Sequence, residues 1–450
     1  MARTRAQFTC GDCGTSAPQW AGRCPGCGQW NSLVEELVVP DPVPAGPAAI
    51  PAVVPITDID PAAHVPLATG LDEADRVLGG GLVPGSVTLL AGSPGVGKST
   101  LVLQIVSAFA GRDLRALYLT AEESGPQVRS RAERLGALDE RVALVVDTSL
   151  AGLDRVLDEV KPDLLVVDSI QSVHDPELTS AAGSVAQVRH GAQLLARLAK
   201  DRGVATVLVG HVTKEGAVAG PRVLEHLVDT VLEFEGDLQR GLRVLRATKH
   251  RFGATDEVGL FEMGSHGLAS VVDPSAVFLA DRVPDIPGSI IVPTAEGRRP
   301  LLVEIQALTN PAAGGVRRVG HGIDTGRLEL VLAVLFKRLG LGVFDLDVHA
   351  AAVGGVQVHD PAADLALGLA VASSLTNVAL PDDLVAFGEV GLAGELRRVP
   401  HTEQRLAEAA RMGLRRAVVP RDVVDAPLGL EVRRAASLAD AVRLTRLPVG

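Results

Sequence analysis

Nine consecutive residues carry the clearest chemistry in this 450-residue chain. Gly92, Ser93, Pro94, Gly95, Val96, Gly97, Lys98 and Ser99, followed by Thr100, match the phosphate-binding pattern Gly-x-x-x-x-Gly-Lys-Ser. Glycines at this spacing let backbone N–H groups close around phosphates, and a helix opening at Lys98 adds a favourable dipole. Lys98 is expected to reach the β and γ phosphates of ATP, and Ser99 to ligate Mg2+. Downstream, Leu164-Leu165-Val166-Val167-Asp168-Ser169 reads as an apolar strand ending in a carboxylate, which assigns Asp168 to the water shell of that magnesium. Hydrolysis also needs an acid to orient or deprotonate water. The segment Tyr118-Leu119-Thr120-Ala121-Glu122-Glu123-Ser124 brings two acids to a strand end; Glu122 is preferred, with Glu123 read as a solvated helix cap.

A second chemistry lies near the amino end. Cys10-x-x-Cys13 and Cys24-x-x-Cys27 are each followed by glycine, and they are the only cysteines in the chain. Two such turns complete a tetrahedral four-sulfur site for Zn2+. Two disulfides are the alternative. Met-Ala-Arg-Thr-Arg-Ala runs toward Cys10 without an apolar leader, so a cytoplasmic location with reduced thiols is expected, and zinc is favoured. Trp20 and Trp30 are expected to cover the metal site.

Composition sets the bounds around these sites. Asp and Glu number 54 against 43 Lys and Arg, a net charge of -11, which excludes a protein that coats nucleic acid by bulk attraction. No apolar run reaches membrane-span length, so no membrane partner is expected. Charge is nevertheless uneven: Gly236 to Ala254 holds Arg240, Arg243, Arg246, Lys249 and Arg251 against Asp237, and Leu392 to Arg416 holds six Arg against three Glu. With aromatics at only 3% of residues, any nucleic-acid contact is expected to track the backbone rather than stack on bases.

The elements that must position the sites follow from hydrophobic pattern. Residues 7–36 form the cysteine module and residues 37–66 a Pro/Ala-rich tether. Over 67–270, short apolar runs at Val87 to Ala91, Ala116 to Thr120, Val142 to Val146, Leu164 to Val167 and Ala205 to Val209 alternate with helical stretches. This α/β alternation predicts a parallel sheet of buried strands covered by helices. Val185, Val188, Ala192, Leu195, Leu198 and Ala199 recur at helical spacing. A connector at 271–295 leads to an α+β region at 296–450, with a helix predicted from Pro361 to Leu375.

The order of motifs resembles a known family. Gly70-Leu71-Asp72 and Leu78-Gly79-Gly80-Gly81-Leu82-Val83-Pro84-Gly85 look like the lead-in of RecA-type and KaiC-type ATPases. Together with the four-cysteine finger and a carboxyl-terminal region similar to the Lon protease domain, they resemble the bacterial DNA-repair RadA (Sms) family across nearly the whole chain. The resemblance implies a zinc finger, a RecA-like core and a Lon-like platform, assembled as a homo-hexamer. It also implies a DNA-stimulated ATPase with helicase-like activity that drives branch migration on single-stranded DNA and branched recombination intermediates, in cooperation with RecA recombinase. The family's Lys-Asn-Arg-Phe-Gly motif is Lys249-His250-Arg251-Phe252-Gly253 here, so Lys249 and Arg251 are implied in turnover at a subunit boundary and in DNA contact. His211 is the implied sensor, and Lys214 and Arg222 lie in the implied DNA-facing loop. Proteolysis is not expected. The segments matching a Ser–Lys dyad, 360–364 and 399–405, hold neither residue, and the last lysine is Lys337. A KaiC-like regulatory ATPase without translocation is the alternative reading.

Overall fold

The computed structural model describes residues 5–10, 15–30, 32–38, 55–58, 65–211, 221–236, 242–297, 299–312, 314–354, 356–423 and 427–448. The chain divides into two compact units, Met1–Val271 and Val272–Gly450.

The cysteine module is a small antiparallel sheet in which β1 (Arg5–Cys10) lies between β2 (Ser16–Ala17) and β3 (Leu33–Val38). Its core is Cys10, Ala17, Cys24 and Leu33, with Phe8 against it. That is too little apolar surface to offset backbone ordering without a metal. The tryptophans do not cover it. Trp20 and Trp30 are 57% and 70% exposed, and the Arg23 guanidinium lies 6.0 Å from the Trp30 ring centroid. The tether falls largely outside the described residues.

The ATPase region begins with the short helix α1 (Asp72–Val77) and alternates strands and helices thereafter: β4 (Val87–Gly92), α2 (Lys98–Ala110), β5 (Ala116–Thr120), α3 (Gly125–Arg134), β6 (Val142–Val146), α4 (Leu153–Val160), β7 (Leu164–Asp168), α5 (Val185–Arg202) and β8 (Ala205–His211). A short α6 (Pro221–Leu224) precedes β9 (Thr230–Gly236), β10 (Leu242–His250), β11 (Val258–Gly264) and β12 (Gly267–Ser270). They form one nine-stranded sheet of order β12-β11-β10-β9-β4-β8-β7-β5-β6, parallel from β9 to β6 and antiparallel from β10 outward.

Alternate residues along each strand feed two apolar layers. Leu90, Tyr118, Val166 and Val207 join the layer beneath α2, while Leu89, Leu117, Leu165 and Leu208 join Val188, Ala192 and Leu195 of α5 in the other. Burial on both faces is why these strands read as continuous apolar runs. Val142 to Val146 differs from expectation: β6 is the last strand of the sheet, and Leu144 and Val146 are exposed. Its sequence looks like a central strand, but it has one neighbour, not two.

The second unit contains α7 (Pro274–Leu279), β13 (Ser289–Glu296), β14 (Arg299–Pro311), β15 (Arg318–His321), α8 (Thr325–Leu339), β16 (Leu346–Ala352), α9 (Ala363–Thr376), β17 (Leu384–Ala386), the small ladder β18 (Glu389–Val390) with β19 (Leu396–Arg397), α10 (Thr402–Arg411), β20 (Arg416–Pro420), β21 (Glu431–Ala435) and α11 (Leu438–Leu444). Its seven-stranded sheet runs β15-β16-β14-β13-β17-β20-β21. The stretch expected as a connector at 271–295 therefore holds a helix and most of a central strand. Pro293 hid that strand, because proline cannot donate to a ladder; here its carbonyl accepts a hydrogen bond from Arg405 Nη1 instead.

Arg405 and Asp360 join segments 360–364 and 399–405. Their side chains pair at 2.6 Å, 2% and 12% exposed. Asp360 also accepts from the N–H groups of Ala295 and Ala362, while Arg405 donates to the Pro400 carbonyl and lies 5.9 Å from the Phe387 ring centroid. The pair is a structural pin.

Candidate functional site

The phosphate loop leaves the carboxyl end of β4 and enters α2 at Lys98, as its sequence requires. Two positions demand glycine, Gly92 for space and Gly97 for its backbone conformation. A Cβ on Gly92 would lie 2.3 Å from the Phe234 carbonyl oxygen, and one on Gly97, at φ +113°, would lie 2.6 Å from Met263 Cε. Lys98 Nζ donates to the carbonyls of Gly92 (2.8 Å) and Ser93 (3.0 Å). Burial draws its pKa below the usual lysine value, while Asp168 and Glu122 oppose that shift. From β10, the buried Arg243 donates from Nε to the Val96 carbonyl at 2.8 Å and so braces the loop.

Three strand ends meet beside this loop. Glu122 follows β5, Asp168 ends β7, and His211 ends β8. Glu122 Oε1 accepts from Ser169 Oγ, from Ser172 Oγ at 2.9 Å and lies 3.1 Å from His211 Nε2. The His211 hydrogen bond, with those from the two serines, outweighs desolvation and draws the Glu122 pKa down to about 2. Glu123 turns away to pair with Arg131 at 2.6 Å and is not the helix cap; that role falls to Ser124, in a capping box with Gln127. Asp168 Oδ2 accepts a 2.6 Å hydrogen bond from Tyr118 Oη. Burial, then Asp168, pushes the Tyr118 hydroxyl well above its ordinary pKa, so it keeps its proton.

Lys249 and Arg251 do not join this cluster. Lys249 is registered against Val231 and Val231 against Leu89, and the Arg251 N–H donates to the carbonyl of Asp229, whose own N–H donates to Val87. Arg251 thus sits at the amino end of β4, about 17 Å from Gly92 at ~3.3 Å per residue. Lys249 Nζ donates to the carbonyls of Glu225 (2.6 Å) and Val228 (2.8 Å), whereas Arg251 is half exposed, 3.5 Å from Asp229. His250 bridges Thr230 Oγ1 (2.9 Å) and the Leu78 carbonyl (3.2 Å). Burial lowers its pKa, against the pull of Leu78, and the neutral ring donates from Nε2 while Nδ1 accepts.

Lys214 lies outside the described residues, as do Arg240 and Cys13; Arg222 falls within α6. The basic segment 392–416 is not a bare cationic face. Arg405 is buried, Arg397 pairs with Glu395, Arg411 with Asp273 and Glu408, and Arg416 with Asp383.

In the cysteine module, the sulfurs of Cys10, Cys24 and Cys27 lie within 4.8 Å of one another, Cys10 and Cys27 at 3.7 Å. Tetrahedral zinc with ~2.3 Å bonds spaces its sulfurs about 3.8 Å apart. The Gly26 N–H donates to Cys24 Sγ at 3.3 Å, as suits a thiolate ligand.

The fold and these two centres define a P-loop ATPase core of RecA-like type that carries a metal-binding ribbon. In agreement, the family described as AAA domain matches residues 66–217, and the rubredoxin metal binding domain matches residues 8–35. The DNA repair protein RadA of Mycolicibacterium smegmatis is 47% identical over 454 residues, covering 99% of this chain and 97% of that protein. Those of Bacillus subtilis and Pseudomonas aeruginosa are 44% and 46% identical, each covering 98% of this chain and 99% of the relative. The chain belongs to the DNA repair protein RadA family. An ATPase domain implies a nucleotide with Mg2+, and the ribbon supports Zn2+. No helix among the described residues is long and apolar enough to cross a membrane.

Proposed function

We propose that the chain hydrolyses ATP to process recombination intermediates in DNA repair, as a DNA-stimulated, helicase-like motor built from several copies, each active site completed by a neighbour. One observation carries the reading: Lys98, Glu122, Ser169 and His211 gather at the carboxyl end of the central strands, while Arg251 stands at the opposite end of β4.

In this reading Lys98 holds the β and γ phosphates, and Ser99 and Asp168 hold Mg2+, which neutralises charge on the leaving phosphate. Asp168 fits that task, since its Oδ1 accepts no hydrogen bond among the described residues. Glu122, held by Ser169, Ser172 and His211, orients the attacking water. His211 reads the γ phosphate through Glu122. Arg251 of one copy stabilises the transferring phosphate on the next, and Lys249 and His250 hold it in place. The family resemblance supports a hexamer, cooperation with RecA recombinase and a non-proteolytic Lon-like second unit.

Complementation tests this directly. Lys98→Ala and Arg251→Ala proteins should each be inactive, yet regain ATP turnover on mixing, because some boundaries then combine an intact loop with an intact Arg251. Turnover should also rise with single-stranded DNA. Failure to complement while both variants co-assemble would remove the shared site. Turnover indifferent to DNA would leave a nucleotide-switched regulator.

A further inference from the structure

Tyr118 is the only tyrosine in the chain, and its environment is unusual for it. Its strand neighbours Leu117 and Leu119 are apolar and buried, and its ring lies in the layer that holds Leu103, Val106, Val128 and Val166. A Phe or Leu would fill this place without bringing a polar atom into the core. Among the described residues the hydroxyl has one hydrogen-bond partner, Asp168 Oδ2, at 2.6 Å, and both residues are buried. In the ladder Tyr118 opposes Val166 and Thr120 opposes Asp168, so the phenol reaches along the sheet to a carboxylate two residues further on.

The pattern matches that of the neighbouring acid. Glu122 is held by Ser169, Ser172 and His211, and Asp168 by Tyr118. A carboxylate gripped at one oxygen has its rotamer fixed and presents the other in a defined direction, which is how outer partners tune a metal site.

We propose that Tyr118 is a positioning residue for the magnesium site: its hydroxyl locks Asp168 through Oδ2 and thereby aims Oδ1 at the water shell of the ion. The proposal rests on the reading of Asp168 given above. Tyr118 is buried with its hydroxyl on Asp168, so it acts on Mg2+ affinity and not on phosphate binding.

The test compares Tyr118→Phe with Asp168→Asn in the full chain, using a fluorescent ADP analogue titrated with Mg2+ or in EDTA. Tyr118→Phe should leave metal-free ADP binding unchanged and raise the Mg2+ concentration for half-maximal tight binding about tenfold or more. ATP turnover should recover to near the parent rate at saturating Mg2+. Asp168→Asn should shift the same midpoint further. An unchanged Mg2+ midpoint in Tyr118→Phe, with Asp168→Asn shifted, would overturn the Tyr118 proposal alone; no shift in either overturns the magnesium role of Asp168 as well. If Tyr118→Phe does not fold, the parent protein decides. Its single tyrosine should change its ultraviolet difference spectrum when Mg2+ is added to the ADP complex, and a silent spectrum refutes the relay.

Discussion

At the residue scale, the two adjacent acids after β5 are separated by their partners. Glu122 sits among hydroxyls and His211, and Glu123 is paired with Arg131. Glu122→Gln should therefore abolish hydrolysis while ATP still binds, as measured by single-turnover assay and nucleotide titration. Glu123→Gln should leave turnover within about twofold, since a part-exposed ion pair is worth little. The pH dependence has a definite sign. A carboxyl lowered to about 2 in the folded state adds stability that is complete above its unfolded value near 4.5 and is lost as pH falls from there toward 2. Any acid limb in turnover between pH 5 and 8 then comes from a group other than Glu122. The loop, Asp168 and the Glu122/Glu123 pair were legible in sequence because each lies in one contiguous motif. Tyr118 and Arg243 were not, because their roles depend on residues 50 and 147 positions away in the chain. A lone tyrosine in an aromatic-poor strand was the one available signal.

At the element scale, strand boundaries in the core followed from apolar runs, and α5 from its periodic stripe, because both faces of each element are decided locally. Two readings failed for reasons outside any local window. Val142 to Val146 has central-strand composition and an edge position, and Ser289–Glu296 contains a proline yet is paired on both sides, by β14 and β17. The pin between α10 and the loop before α9 shows the same dependence on distant sequence. Breaking it should be costly, because an unpartnered buried charge remains. Arg405→Ala or Asp360→Leu should lower the stability of the second unit by about 3–5 kcal/mol in denaturant unfolding. The double replacement Asp360→Leu with Arg405→Met should recover much of that loss, and turnover at saturating DNA should be spared in the double variant if the pin is purely structural.

At the scale of the whole molecule, the cysteine module and the ATPase core can be perturbed separately. Both tryptophans lie in the module, and the core has none. Chelating zinc should change tryptophan emission and the signal of β1–β3, while nucleotide affinity of the core stays within about twofold; parallel loss of nucleotide binding would contradict the modular reading. If Arg251 of one copy completes the site of the next, as proposed above, the placement of the phosphate loop and Arg251 at opposite ends of β4 has a consequence for symmetry. A contact that joins the tail of one copy to the head of the next is heterologous, and no two-fold dimer can satisfy it for both partners at once. Copies joined in this way either close into a cycle or grow as an open row. A cycle has as many complete catalytic sites as chains, and an open row has one fewer. Opening a closed assembly at a single boundary thus silences one site and no other, so the number of working sites itself records whether the assembly is closed.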